Sequence, residues 1–178
     1  MASKLEHLID ALERRRNSLL NELAVLDANS LTAKPIPDKW SILEITEHLV
    51  VAEKVILKGL PPFSKLIHQP ARLDNHVKYF LVMAILRFSI PVKVPSRSMN
   101  PTGCSSLTEL RQEWDRHLEW LRAYTKEFSD EGRQKSFFTH PVAGPITLVQ
   151  ALRMNLLHIR THVRQIEKLK NHRATLNA

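Results

Sequence analysis

Hydrophobic residues recur every three or four positions in four long stretches of the chain, the spacing that lines one face of an α-helix. The first stripe runs Leu5, Leu8, Ile9, Leu12, Leu19, Leu23 and Leu26. The second runs Ile45, His48, Leu49, Ala52, Val55 and Ile56. The third holds Leu107, Leu110, Trp114, His117 with Leu118, Leu121 and Phe128. The fourth holds Leu148, Ala151, Asn155, His158 with Ile159, His162, Ile166 and Leu169. Each stretch opens with a hydroxyl residue followed three positions later by Glu or Gln: Ser3 and Glu6, Ser41 and Glu44, Ser106 and Glu109, Thr147 and Gln150. In such a capping box each side chain accepts the other's backbone N–H, so two donors that a helix start leaves open are satisfied. One such pattern is common by chance, but four at the heads of four amphipathic runs support one another. Asn29-Ser30 with Pro35 and Pro37 is expected to end the first helix, and Gly59 with Pro61 and Pro62 the second.

The connection from Gly59 to Ser105 is long. A fifth helix is expected from Asp74 to Ser89, stopped before Pro91, and the remainder, "IPVKVPSRSMNPTG", is proline-rich. Compact domains rarely hold a structureless loop of this length, so the segment is expected to pack as a crossover or as a cap over one end. The stretch "SDEGRQKSFFTHPVAGPI", Ser129 to Ile146, reads as a turn-rich linker. Four similar amphipathic helices must bury their stripes against one another. The expected fold is therefore all-α: a four-helix bundle with a long crossover carrying an extra helix, in a single domain over residues 1–178 with an insertion at 59–105.

Composition narrows the function classes. Hydrophobic residues make up 43% of the 178, ordinary for a globular protein, and four glycines are few for a sheet protein built on tight hairpins. The most apolar run, "YFLVMAIL" from Tyr79 to Leu86, is shorter than the ~20 residues a membrane span needs and is read as a buried helix. The start, "MASKLEHLIDALERRR", has no apolar leader, and Cys104 is the only cysteine, so a cytoplasmic protein is expected. Net charge is +8, but the basic residues are spread along the chain without a nucleic-acid-binding signature. The expected partner is a small molecule, with no nucleic acid and no membrane.

The histidines carry the candidate chemistry. His158 and His162 stand four residues apart on the inward face of the last helix, and His48 lies on the inward stripe of the second. Two ligands one turn apart plus a third from a facing helix suit a divalent metal with an open coordination position. Zinc and nickel both accept imidazole. Hydrogen-bonded core histidines would give the same spacing, and the spacing does not choose between the two.

Three stretches resemble the DinB/YfiT-like superfamily of metalloenzymes. They are "DKWSILEITEHLVVAE" (Asp38 to Glu53), "HPVAGPITLVQAL" (His140 to Leu152) and "HIRTHVRQI" (His158 to Ile166). The resemblance implies a DinB-like four-helix bundle whose His48, His158 and His162 bind a divalent metal, Zn or Ni. It further implies a metal-dependent enzyme, either a thiol-dependent S-transferase using a low-molecular-weight thiol or a hydrolase. A non-catalytic metal-binding or stress-response protein is the alternative. The related maleylpyruvate isomerases carry Glu where this chain has His158, a departure from that reaction's pattern. Bundles of this kind often pair as homodimers.

Other residues are weaker candidates. Glu44 sits one turn before His48 as general base or ligand support, but it also belongs to the capping box, which is the favoured role. Asn155 sits one turn before His158, as a wall of the site or an inter-helix bond. Gln165 follows His162 by three residues and can hold its imidazole. Glu47 is expected on the surface and His117 outside the site. His140, before Pro141, is assigned to a turn. Trp40, Trp114 and Trp120 are expected as core or core-margin anchors, and Cys104 has no activating neighbour.

Overall fold

A computed structural model describes residues 4–60, 73–90, 97–126, 136–140 and 142–176. Six helices and one hairpin follow in the order α1 (Lys4–Ala24), α2 (Ala28–Thr32), α3 (Ile42–Lys58), α4 (Leu73–Arg87), α5 (Leu107–Lys126), β1 (Ser136–His140), β2 (Gly144–Thr147) and α6 (Leu148–Leu176). A 3-10 turn, Arg97–Met99, precedes α5. The four long helices of the sequence pattern are α1, α3, α5 and α6. Each of α1 and α3 packs against both α5 and α6, which closes a four-helix bundle. The main core draws on all four: Leu12 and Leu20 of α1, Leu49 and Val50 of α3, Trp114 and Leu121 of α5, and Ile159 and Ile166 of α6 are among its buried members.

Three of the four capping boxes form. Glu44 N donates to Ser41 Oγ at 3.1 Å while Ser41 N donates to Glu44 Oε2 at 2.8 Å. Ser106 and Glu109 exchange the same pair of bonds, as do Thr147 and Gln150. The fourth depends on Ser3, which lies outside the described residues. The first helix stops earlier than its expected end at Asn29-Ser30. Asp27 caps a separate one-turn helix by accepting from Ser30 N at 2.7 Å, so Asn29 and Ser30 fall inside α2. A short side-chain acceptor at the right position redirects the backbone more strongly than the continuing apolar pattern extends it.

The expected extra helix is α4, two residues shorter at its C-terminus than the Asp74–Ser89 range. Its end is a Schellman motif: Ile90 N donates to Ile85 O and Ser89 N to Leu86 O, with Ser89 at φ +52° where glycine is usual. The helix is only half buried. Tyr79 and Val82 pack with Ala143, Ile146 and Met154 in a second, smaller core, while the opposite side faces solvent. The linker before α6 is another correction, because its end forms the antiparallel hairpin β1–β2, with Phe138 opposite Ile146 and His140 opposite Gly144. Strands of five and four residues are too short for periodicity to reveal. His140 serves the turn as expected: its Nδ1 accepts from Val142 N and Ala143 N, both at 3.1 Å. Gly144, at φ +71°, also leaves room for Asn75 Oδ1, which would lie 3.1 Å from a Cβ at that position. Trp114 is a core anchor and Trp40 packs at the core margin. Trp120 is 41% exposed and stacks on Tyr124, so it anchors no core.

Inside the bundle lies a charge cluster. Glu53 of α3, 3% exposed, accepts from Arg16 of α1 at 2.5 Å, from Trp114 Nε1 of α5 at 3.3 Å and from Asn155 Nδ2 of α6 at 2.8 Å. His117 of α5, also buried, brings Nδ1 to 3.5 Å from Glu53 Oε1 and Nε2 to 3.4 Å from Glu113. Burial alone would raise the Glu53 carboxyl, but the Arg16 charge, with His117 and Asn155, outweighs it and holds the group below its ordinary range. Removing one member of such a pair leaves the other charge buried and uncompensated. Glu53→Ala should therefore lower unfolding free energy by roughly 3–5 kcal/mol in urea denaturation, and Arg16→Met/Glu53→Leu should recover most of that loss. A loss below about 1 kcal/mol for the single variant would show that the pair holds nothing together.

Candidate metal centre

The three histidines of the sequence pattern converge between α3 and α6. One nitrogen from each of His48, His158 and His162 lies within 4.8 Å of the others. The His158 and His162 rings, one turn apart, bring their Nε2 atoms to 3.0 Å. His48 meets both rings edge-on, with centroids 5.3 and 4.9 Å away. Trp40, just before the α3 cap, covers His48 with ring centroids 4.9 Å apart.

Each flanking contact sets what the imidazoles can do. His48 Nδ1 is 2.7 Å from Met99 O. A carbonyl only accepts, so Nδ1 carries the proton and Nε2 keeps its lone pair. His162 Nδ1 is 2.8 Å from Gln165 Oε1, which assigns it the same tautomer. Holding a ligand imidazole by its far nitrogen in this way orients the ring and raises its basicity. Two neutral imidazoles with Nε2 atoms 3.0 Å apart share either a proton or a cation.

Burial keeps all three rings uncharged. It lowers His48 below the ordinary 6.5 against an opposing pull from the Met99 carbonyl. His158 is pushed well below it by burial and by the charges its two neighbours would carry. His162 falls to about 4, mainly through burial and then through His48. The donor set is thus neutral nitrogen at neutral pH, the form a zinc- or nickel-class ion requires, so the residues fit such an ion.

Met99 reaches His48 because of Glu47, which sequence reasoning placed on the surface. Glu47 is 3% exposed. Its Oε1 accepts from Thr102 N at 3.1 Å and Thr102 Oγ1 at 2.6 Å, and its Oε2 accepts from Gly103 N at 2.8 Å. These bonds fasten the returning crossover to α3 beside His48. Gly103 takes φ +73°, which a side chain would strain, and so lets its N–H turn to the carboxylate. The signal in the sequence was indirect: a carboxylate next to an inward histidine, and a Thr-Gly pair at the end of a proline-rich segment.

The two weak catalytic candidates do not join the histidines. Glu44 closes its capping box and pairs with Lys34 at 2.8 Å. Burial pushes its carboxyl up, and Lys34 and the Ser41 N–H more than offset this. Asn155 points its amide at Glu53 instead. His117 stays outside the histidine cluster, as expected, and Cys104 is exposed. Arg16 and Glu53 were missed, although each is a charge interrupting an apolar stripe, Arg16 between Leu12 and Leu19 and Glu53 between Leu49 and Ile56.

A four-helix bundle with three neutral imidazoles gathered on two inward faces defines a class: a helical-bundle protein with a candidate metal centre. The chain belongs to the DinB superfamily, whose sequence pattern matches residues 11–166. Among solved structures it is similar to YfiT from Bacillus subtilis, described as "a probable metal-dependent hydrolase with an unusual four-helix bundle topology". The two share 19% identity with a TM-score of 0.55, over 98% of this chain and 91% of that one. At that identity the likeness shows the fold alone. No curated protein matches the sequence significantly. Among the described residues, no helix is long and apolar enough to cross a membrane.

Acid should destabilise the metal-free protein through these rings. Between about 4 and 6.5 the unfolded chain binds a proton at His162 that the folded chain does not, so stability is complete above 6.5 and falls as pH drops through that window. The shift corresponds to a loss on the order of 3 kcal/mol from His162 alone. Denaturation of chelator-treated protein at about pH 7.5 and about pH 5 should show the decline, and His162→Gln should flatten it. Equal stability at both pH values would mean the rings are hydrated and free to protonate.

Proposed function

We propose that the chain is a divalent-metal-dependent hydrolase whose metal is held by His48, His158 and His162. The observation that carries this reading is the trio itself: His48 and His162 buried, His158 half-buried, all three neutral, with nitrogens clustered within 4.8 Å. The hydrolase described for YfiT supports it as a parallel from the same fold. A zinc- or nickel-class ion there would supply Lewis acidity and lower the pKa of a water or a thiol. The same property makes thiol transfer to an electrophile the second reaction to assay.

The chain's own residues have separable parts in this. Met99 O and Gln165 Oε1 hold the far nitrogens of His48 and His162 and so aim the near ones. Glu47 holds the segment that carries Met99. Trp40 packs against the His48 ring. Three protein ligands leave a coordination position for substrate, the arrangement of catalytic rather than closed structural sites.

Untagged protein, prepared without a nickel column, should contain about one divalent ion per chain by mass spectrometry, and His158→Ala should lose it. Gln165→Leu should keep the fold but bind the ion about 10–100-fold more weakly in competition with a chelator. Metal-free protein that takes up no ion on titration with zinc or nickel would sink the proposal. A bound ion together with no hydrolysis of ester, amide or phosphoester panels would leave the non-catalytic alternative standing.

A further inference from the structure

The solvent side of α4 is the largest feature that the candidate metal centre does not use. On a helical wheel Tyr79, Val82, Met83 and Leu86 point one way, into the second core. Val77, Phe80, Leu81 and Phe88 fall on the opposite stripe, about 100° wide. They are 63%, 68%, 56% and 70% exposed, and Ile90 just beyond is 50% exposed. A helix apolar on both faces normally has neighbours on both. Singly exposed apolar residues are ordinary, but four on one stripe form the kind of contiguous patch that marks an interaction surface.

The charge next to α4 favours one kind of partner. Arg153, Arg160 and Arg164 line one stripe of α6, at spacings of seven and four. The C-terminal end of this row meets α4, where Arg164 donates to Arg87 O at 2.7 Å and to Ser89 Oγ, while Arg153 and Arg160 are exposed. No acidic residue occurs in α6 before Glu167. The acid of α4, Asp74, is already paired with Lys78 at 3.2 Å. Phe88, between Arg87 and Ser89, therefore sits at the Arg164 end of this basic row. A second copy docking through the same face would bring two arginine rows together, and this like-charge contact opposes a self-paired dimer.

We propose that the α4 face is a peripheral docking surface for an anionic lipid bilayer. The aromatic and aliphatic side chains would enter the boundary between headgroups and acyl chains, and the α6 arginines would meet anionic headgroups. This departs from the expectation of no membrane contact, which rested on span length; a surface-lying helix needs no span. The metal centre is not involved, so the proposal stands or falls independently of the hydrolase.

The test is flotation of the full chain with vesicles of phosphatidylcholine alone and with about one third phosphatidylglycerol, at low and high salt. Binding should require the anionic lipid and weaken with salt. Phe80→Glu/Phe88→Glu should lower the partition coefficient more than about tenfold, and Arg160→Gln about fivefold. All three side chains are exposed, so helical circular dichroism and metal content should match the parent protein. Failure to bind either vesicle overturns the proposal, as does binding that the double substitution leaves intact. A concentration-dependent dimer dissolved by the same substitution, in a protein that ignores vesicles, also overturns it and assigns the face to a second copy.

Discussion

One buried carboxylate joins every helix of the bundle. Glu53 on α3 takes Arg16 from α1, Trp114 and His117 from α5 and Asn155 from α6. The leucine core is non-directional and tolerates helices that slide or rotate by a notch. A buried ion with directed partners does not, because each partner lost leaves a desolvated charge. Arg16 also lies over the Trp114 ring, 5.3 Å from its centroid, so the same guanidinium packs and pairs. Asn155 and His158 are three residues apart on α6, and His48 and Glu53 five apart on α3. The cluster that sets the register of these two helices therefore also sets the register of the histidines they carry.

The candidate metal centre depends on a second constraint, exerted by the crossover. Residues 97–105 return to α3 and are fastened there by Glu47. That contact brings a backbone carbonyl to the outer nitrogen of His48. On the other helix, Gln165 does the same for His162 from within one turn of its own chain. One ligand is thus oriented by a long-range contact and the other by a local one. Burial keeps the rings neutral, and the tautomers forced by the carbonyl and the amide direct their lone pairs inward.

The bundle is not symmetric about its core. α4 and the β1–β2 hairpin form an added layer on α6, with a small core of their own. This layer gives α6 three distinct sides: leucines and isoleucines toward the bundle, Asn155 and the two histidines toward α3, and Thr161 toward α4, where its hydroxyl donates to Leu86 O at 2.6 Å. The arginines occupy what remains. Three of the chain's 26 basic residues, Arg153, Arg160 and Arg164, thereby come to one stripe of the helix that carries α4.

The sequence alone determined what depends on neighbours a few residues apart. Helix starts were legible because a capping box is a local exchange of hydrogen bonds, as in Ser41 with Glu44 and Thr147 with Gln150. The inward stripes were legible because 3.6-residue periodicity is local too, and they placed His48, His158 and His162 on buried faces. The tertiary structure decided whatever required distant partners. Glu47 looked like a surface residue because the four groups that satisfy it lie more than fifty positions away. Arg16 and Glu53 each looked like a flaw in an apolar stripe until the fold made them partners. The exposure of Phe80 and Phe88 was hidden for the converse reason: an apolar run reads as core, and only packing shows which of its faces finds a neighbour.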